Sequence, residues 1–284
     1  MTRQIPIYQV DAFADRLFAG NPAAVCPLED WLPDALLQAI ASENNLSETA
    51  FLVRRDSDYE LRWFTPVYEV DLCGHATLGS AFVISEYLEP GRDNMRFHSR
   101  SGPLEVTRDG ALYAMDFPAL KCAPCEALAA VTEGLGARPS ELWQDMDFMA
   151  VFSSEAEIRA LAPDMAKLAA LPTRGVIVTA PGVEVDFVSR FFAPGAGIPA
   201  EDPVTGSAHS MLTPYWARRL DKDRLEARQL SPRGGALGLA HRGERVIISG
   251  RVVPYMEGVI RVPELATNSR REDLQEALHG TAAL

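Results

Sequence analysis

Cysteine is scarce in this chain: Cys26, Cys73, Cys122 and Cys125 are the only four among 284 residues. Four cannot make the disulfide framework of a small secreted fold, and a reducing cytoplasm is the expected setting. Positive charge is short as well. Lysine and arginine total 27 against 39 aspartate and glutamate, a formal net charge of −12. That balance argues against a nucleic-acid footprint or an anionic membrane surface. It leaves an anionic substrate open, because a local nest of backbone N–H groups can oppose the global field. No apolar run reaches the length of a membrane span. The opening Met1-Thr2-Arg3-Gln4-Ile5-Pro6 starts no apolar stretch of the signal-peptide kind, so no leader is expected. His75, His98, His209, His241 and His279 show no ligand spacing, so no metal is expected. Cys122-Ala-Pro-Cys125 is a CxxC, but it follows a strand through Pro118 and holds Pro124, which reads as connecting chain rather than a redox pair.

What is present is ordinary globular composition, 47% hydrophobic and 23% charged, which sets disorder aside. The length fits one large domain or two of common size. Strands are expected over Ile5 to Phe13, Ala23 to Pro27, Ala50 to Val53 and Tyr59 to Thr65. Asp109-Gly110 marks a hairpin between Leu104–Arg108 and Ala111–Phe117. A short amphipathic helix follows Pro33-Asp34 and ends near Asn44-Asn45. Ala76 to Leu88 is apolar on most faces, which predicts a helix enclosed by strands.

The second half repeats the theme. Strands are expected at Val151, Gly175 to Ala180, Val185 to Phe192, Arg245 to Val253 and Val259 to Val262. The enclosed helix is Ser207 to Leu220, where Pro214 should kink it or remove one hydrogen bond. Gly134 to Pro139 and Ala156 to Lys167 read as peripheral helices. The boundary falls near Phe117 to Glu126, giving one unit over 1–117 and a second over 118–265. The tail 266–284 has helical composition and could pack back on the first unit.

Two segments look like copies of one device. Trp63-Phe64-Thr65-Pro66 leads through Glu69-Val70-Asp71-Leu72-Cys73 to Gly74-His75; Phe191-Phe192-Ala193-Pro194 leads through Glu201-Asp202-Pro203-Val204-Thr205 to Gly206-Ser207. Each runs strand, proline, acidic pair, glycine, helix. Helix starts carry free N–H groups and a partial positive charge, so each suits an anion. Ten residues separate Phe64 from Gly74 and fourteen separate Phe192 from Gly206. The extra length lies in Gly195-Ala196-Gly197-Ile198, which could act as a lid or hinge. The other reading is two unrelated strand–helix turns.

Several residues near these starts could carry chemistry. Glu48, in a polar loop feeding an apolar strand, could be partly desolvated and serve as an acid or base; it could equally cap a turn. His75 would feel the positive end of a helix dipole, which favours its neutral form; otherwise it is a capping or core histidine. Ser207 could offer hydroxyl and N–H to a carboxylate, and Asp202 could act there or brace the loop. Cys73 lies where the second copy has Thr205, so a symmetric two-thiol racemase is ruled out.

These residues carry a resemblance. Tyr8-Gln9-Val10-Asp11-Ala12-Phe13, Gly20-Asn21-Pro22-Ala23-Ala24-Val25, Asn45-Leu46-Ser47-Glu48-Thr49, Phe64-Thr65-Pro66, Cys73-Gly74-His75-Ala76-Thr77 and Glu201 to His209 follow in the order of the PhzF-like, phenazine-biosynthesis isomerase family. Nearly the whole chain is covered. The resemblance implies an α+β fold of the diaminopimelate epimerase group: two pseudo-symmetric domains, each a barrel-like sheet around a central helix, with the site in the cleft between them. It also implies a cofactor-independent isomerase, usually a homodimer, acting on a small carboxylate. It places catalytic roles on Glu48, His75 and Asp202 and substrate binding on Gly74, Gly206, Ser207 and Asn21. Cys73 departs from the phenazine enzyme itself, which opens the substrate more than the mechanism. The alternatives are a one-thiol epimerase using Cys73 with Glu48, and a non-catalytic binding protein that kept the fold.

Overall fold

The computed structural model describes residues 2–196 and 201–263. The tail 266–284 and the Gly197-Ile198 part of the expected lid lie outside them. The chain runs β1 (Thr2–Ala12), β2 (Asn21–Leu28), α1 (Asp34–Asn44), β3 (Glu48–Arg55), β4 (Asp58–Phe64), β5 (Glu69–Val70), α2 (Gly74–Val83), β6 (Asn94–Ser99), β7 (Gly102–Asp109) and β8 (Leu112–Pro118). It continues with β9 (Ala123–Pro124), α3 (Leu128–Leu135), β10 (Glu141–Gln144), β11 (Phe148–Val151), α4 (Glu155–Ala160), α5 (Met165–Ala169), β12 (Val176–Pro181) and β13 (Phe187–Phe192). It ends with β14 (Glu201–Asp202), α6 (Gly206–Leu220), β15 (Arg224–Gln229), β16 (Gly235–Arg242), β17 (Arg245–Gly250) and β18 (Val252–Pro263).

The pairings repeat. In the first half β2 runs parallel to β3, β3 antiparallel to β4, and β4 parallel to β6, with β5 hung on β4 and β7 and β8 following as antiparallel neighbours. In the second half β11, β12, β13, β14, β15, β16 and β17 reproduce that order and those directions. The fold is therefore a pseudo-symmetric pair of mixed sheets wrapped around helices. Two strand pairings join the halves: β8 pairs with β17, and β18 returns to pair antiparallel with β1. The last strand of the expected unit 118–265 thus lies against the first strand of the other half.

Each sheet encloses one helix. Every residue of α2 from His75 to Val83 is buried, which explains its apolar character on all sides. Gly79 is where sheet and helix come closest: a Cβ there would lie 2.8 Å from Val10 Cγ2. A π-helical turn, Ile84–Leu88, completes α2. α6 is enclosed in the same way and keeps Pro214 in its interior. Proline cannot donate to the carbonyl four residues earlier. That carbonyl, on Ser210, instead accepts the N–H of Leu120 at 3.0 Å, from the connection after β8. On the outer face α1 covers the first sheet, and α3, α4 and α5 cover the second, each over its own apolar cluster.

Peripheral elements differ from expectation. The helix expected over Gly134 to Pro139 is Leu128–Leu135, stopped by Gly136 at φ 71°. Ala156 to Lys167 divides into α4 and α5, because Leu161 is extended and Pro163 cannot continue a helix. Arg245 to Val253 breaks at Arg251, between a strand of the second half and one that joins the first. Among the described residues no helix is long and apolar enough to cross a membrane.

Trp216 anchors α6. It stacks on Phe187 with ring centroids 5.6 Å apart, and its indole N–H donates to Thr179 Oγ1 at 2.9 Å. Trp216→Ala is expected to cost about 3–5 kcal/mol of unfolding free energy. Urea denaturation checks this; a loss below ~1 kcal/mol would show that the helix does not depend on this contact.

Candidate active site

The two copies of the device converge at the cleft. A Cβ built on Gly74 would lie 3.8 Å from the Gly206 Cα, and one on Gly206 3.9 Å from the Gly74 Cα, so the helix starts abut glycine to glycine. Each copy is clamped in the same way. Arg62 on β4 donates two bonds of 2.7 Å to Glu69 on β5, and Arg190 on β13 donates two of 2.8 Å to Glu201 on β14. Each guanidinium also lies over the second aromatic of its motif, Phe64 or Phe192. The glutamates thus brace the hairpin that aims each helix start, five residues before its glycine. This pair of arginines was visible in sequence, two residues before each aromatic, and carried no role in the sequence reading.

Glu48 opens β3 and His75 is the second residue of α2. Their side chains meet at 3.1 Å, His75 Nε2 to Glu48 Oε2, both largely buried. The contact is not aligned as a hydrogen bond, so Oε2 has no well-directed donor. Cys73, just before the helix, places Sγ 3.5 Å from His75 Nδ1. Burial pulls the His75 pKa down, but Cys73 and Glu48 together hold it well above the ordinary range. Burial pushes the Cys73 thiol up to about 11, so the acidic partner that counts beside the imidazole is the Glu48 carboxyl at 3.1 Å. The neutral imidazole expected from the helix dipole is therefore overturned. A dipole contributes about 0.3–1 kcal/mol, up to ~2 when partly buried. A carboxylate at 3.1 Å gives roughly 5 kcal/mol of gross attraction at an effective dielectric of about 20.

Asp202 lies across the cleft, buried at the end of β14. Asn21 Nδ2 donates to its Oδ1 at 2.9 Å, and also to the Val204 carbonyl at 2.9 Å, while the Thr205 hydroxyl donates to Oδ2. Gln229 holds the same loop through the Asp202 carbonyl and the Thr205 N–H. Asn21, expected against substrate, therefore spends its amide N–H groups bracing Asp202 across the two halves; its Oδ1 is buried and unpartnered. Burial raises the Asp202 pKa to about 6, with the His75 charge opposing the rise. Ser207 Oγ accepts from Arg174 at 3.0 Å, and Arg174 is fixed by two bonds to the buried Asp147. Arg174 lies more than thirty residues from Ser207 in sequence, so no local pattern signals it.

Histidine spacing missed one further feature. Glu48, Cys73 and His75 bring a carboxylate oxygen, a sulfur and a ring nitrogen within 4.8 Å of one another. The CxxC, by contrast, separates: Cys122 packs on the cluster around the enclosed helices and Cys125 on the cluster under α3. An open cavity of about 840 Å³ lies elsewhere, between β8 and β15–β17, and is lined by none of these site residues.

Comparison with known proteins agrees in extent. A family described as "Phenazine biosynthesis-like protein" matches residues 10–258. An uncharacterized isomerase of Pseudomonas aeruginosa is 55% identical over 91% of this chain and 100% of its own, and a second from the same organism is 51% identical over 91% and 99%. The crystal structure of a phenazine biosynthesis protein of the PhzF family from Enterococcus faecalis superposes with a TM-score of 0.89 at 47% identity, over 91% of this chain and 99% of its own.

Two buried groups at the second helix start give opposite pH responses. Asp202, raised from 3.8 to about 6, binds a proton more tightly folded than unfolded, so its contribution favours folding at low pH and is lost as pH rises toward 6. His209 is pushed by burial from 6.5 down to about 4, against a bond to the Thr205 carbonyl, so its contribution is lost as pH falls below about 6.5. Each slope is about 1.4 kcal/mol per pH unit, and between pH 4 and 6 they cancel. Asp202→Asn should therefore gain stability relative to the native chain as pH rises from 4 to 6. Urea unfolding at several pH values measures it, and a difference independent of pH would show that Asp202 titrates normally.

Proposed function

The chain belongs to the phenazine biosynthesis-like protein family, and from that premise we propose that it is an isomerase moving a proton between carbons of a small carboxylate, with no cofactor. The observation that carries the reading is the buried contact of Glu48 with His75 beside two abutting helix starts. The substrate's carboxylate is held by the N–H groups of the Gly74–His75 and Gly206–Ser207 starts, where partial positive charge is fixed and preorganised. Arg174 donates to the Ser207 oxygen, which leaves the Ser207 hydroxyl proton for that carboxylate.

The proton inventory follows from the ground state. His75, held as the imidazolium, and Glu48 beside it form the resting pair. Glu48 Oε2, which has no aligned donor, takes a proton from a carbon activated by the bound acid. His75, or Glu48 itself, delivers a proton at the other carbon, and transfer within the pair restores the start. Asp202, poised near pH 6 and braced by Asn21, faces this pair and biases its charge. The relatives' description as isomerases supports the class of reaction. A homodimer is proposed on the family resemblance alone.

Removal of a general acid–base group costs on the order of 10²–10⁴-fold in rate. A set of small cyclic acids and amino acids, incubated in D₂O and read by NMR, identifies a substrate by deuterium uptake. Glu48→Gln is expected to abolish that uptake, and full uptake by this variant would sink the assignment. Cys73→Ala separates the one-thiol alternative. Its thiol is held protonated, so uptake should persist within about tenfold of the native rate; loss as complete as that of Glu48→Gln would make Cys73 the base.

A further inference from the structure

Cys73 is the one member of the buried trio to which proton transfer assigns no task. Its Sγ lies 4.0 Å from His75 Nε2, which is itself 3.1 Å from Glu48 Oε2, and all three donor atoms fall within 4.8 Å of one another. A tetrahedral zinc ion takes sulfur at about 2.3 Å and nitrogen or oxygen at about 2.0–2.2 Å, which spaces its donors roughly 3.3–3.7 Å apart. The donors need to close gaps of at most about 1.5 Å to reach that arrangement. Glu48 Oε2, buried and without an aligned donor, is available as a ligand. The donors are preorganised by separate elements: Glu48 by the start of β3, Cys73 and His75 by the start of α2.

We propose that Glu48, Cys73 and His75 form a binding site for a divalent cation of borderline softness, Zn²⁺ or Co²⁺, and that its occupancy silences the acid–base pair. A thiolate with an imidazole selects such ions over Mg²⁺ and Ca²⁺, which prefer all-oxygen shells. On binding, metal–sulfur, metal–nitrogen and metal–oxygen bonds form. The thiol proton and any proton on the binding imidazole nitrogen leave to solvent, and no electron moves. A fourth position stays open toward the cleft for water or an acid. Silencing rests on the reading of Glu48 as the base; binding does not.

The test is titration of the reduced, full-length protein with Co²⁺, followed by absorbance. Expected is saturation at one ion per chain, with a near-ultraviolet thiolate-to-cobalt charge-transfer band that Zn²⁺ displaces. Cys73→Ser should remove the band and the Cys122→Ser/Cys125→Ser double variant should keep it. Glu48→Gln should weaken binding by at least about 10-fold. Release of protons on adding metal to unbuffered native protein, reduced in Cys73→Ser, checks the thiolate ligand a second way. A band that survives Cys73→Ser, vanishes in the double variant or never saturates would overturn the site. Because the absorbance is read without substrate, failure of Glu48 as a base leaves this result intact. Deuterium uptake that continues at saturating Zn²⁺ would overturn the silencing alone.

Discussion

The cleft depends on one long ladder. β18 leaves the second half and pairs with β1 from Thr2↔Pro263 to Ala12↔Val252, so the beginning and end of the described chain are held side by side. With β8 on β17, this fixes the two sheets relative to each other by backbone hydrogen bonds, and Arg233 adds side-chain bonds to Asp11 and to the Ala19 and Gly20 carbonyls. Only with the halves so fixed can Asn21, at the start of β2, reach Asp202 in the other half, and can two helix starts meet with no side chain between them. The chemistry proposed for the pair at 3.1 Å needs that precision, since a small misplacement of acid and base costs rate steeply.

Duplication explains the frame, and divergence explains the site. Both copies keep the arginine–glutamate clamp and the helix-opening glycine. The positions around them have parted. Cys73 answers to Thr205 and His75 to Ser207. Asp202 answers to Val70, counting back from each glycine. One side of the cleft thus carries a cation paired with Glu48, and the other a carboxylate held near its midpoint by burial. Two identical sides could not separate charge in this way.

The enclosed helices were legible in the sequence because burial on every side leaves an unbroken apolar record, as in Ala76 to Val83. The duplicated device was legible because proline, acid and glycine recur in order. The peripheral helices were not: Gly136 in a left-handed turn and Pro163 after an extended Leu161 end helices that composition alone extends or shifts. β6 and β15 bury only alternate residues, Met95 and Phe97 or Leu225 and Ala227, too few to register as apolar runs. At the candidate site, Glu48 and His75 were singled out from the sequence, and the structure brings them together. Their charge state was not legible there, because the dipole is a property of one helix, whereas the carboxylate that outweighs it arrives from a different strand. Arg174 and the sulfur–nitrogen–oxygen trio escaped for the same reason: their partners are neighbours in space and strangers in sequence.

Pro214 has a consequence for where the second half begins. By withholding its own N–H, it leaves the Ser210 carbonyl as a standing vacancy in a helix that must become dry. Water fills that vacancy in the open chain, and Leu120 fills it in the finished one. Leu120 belongs to the connection that opens the second half, so the central helix of that half is completed by the chain that leads into it. A buried acceptor left empty costs about 1–3 kcal/mol, enough to disfavour a second half that begins after Leu120. The proline thereby makes the connection between the two copies part of the second copy's own core, so that segment is structure and not mere linker.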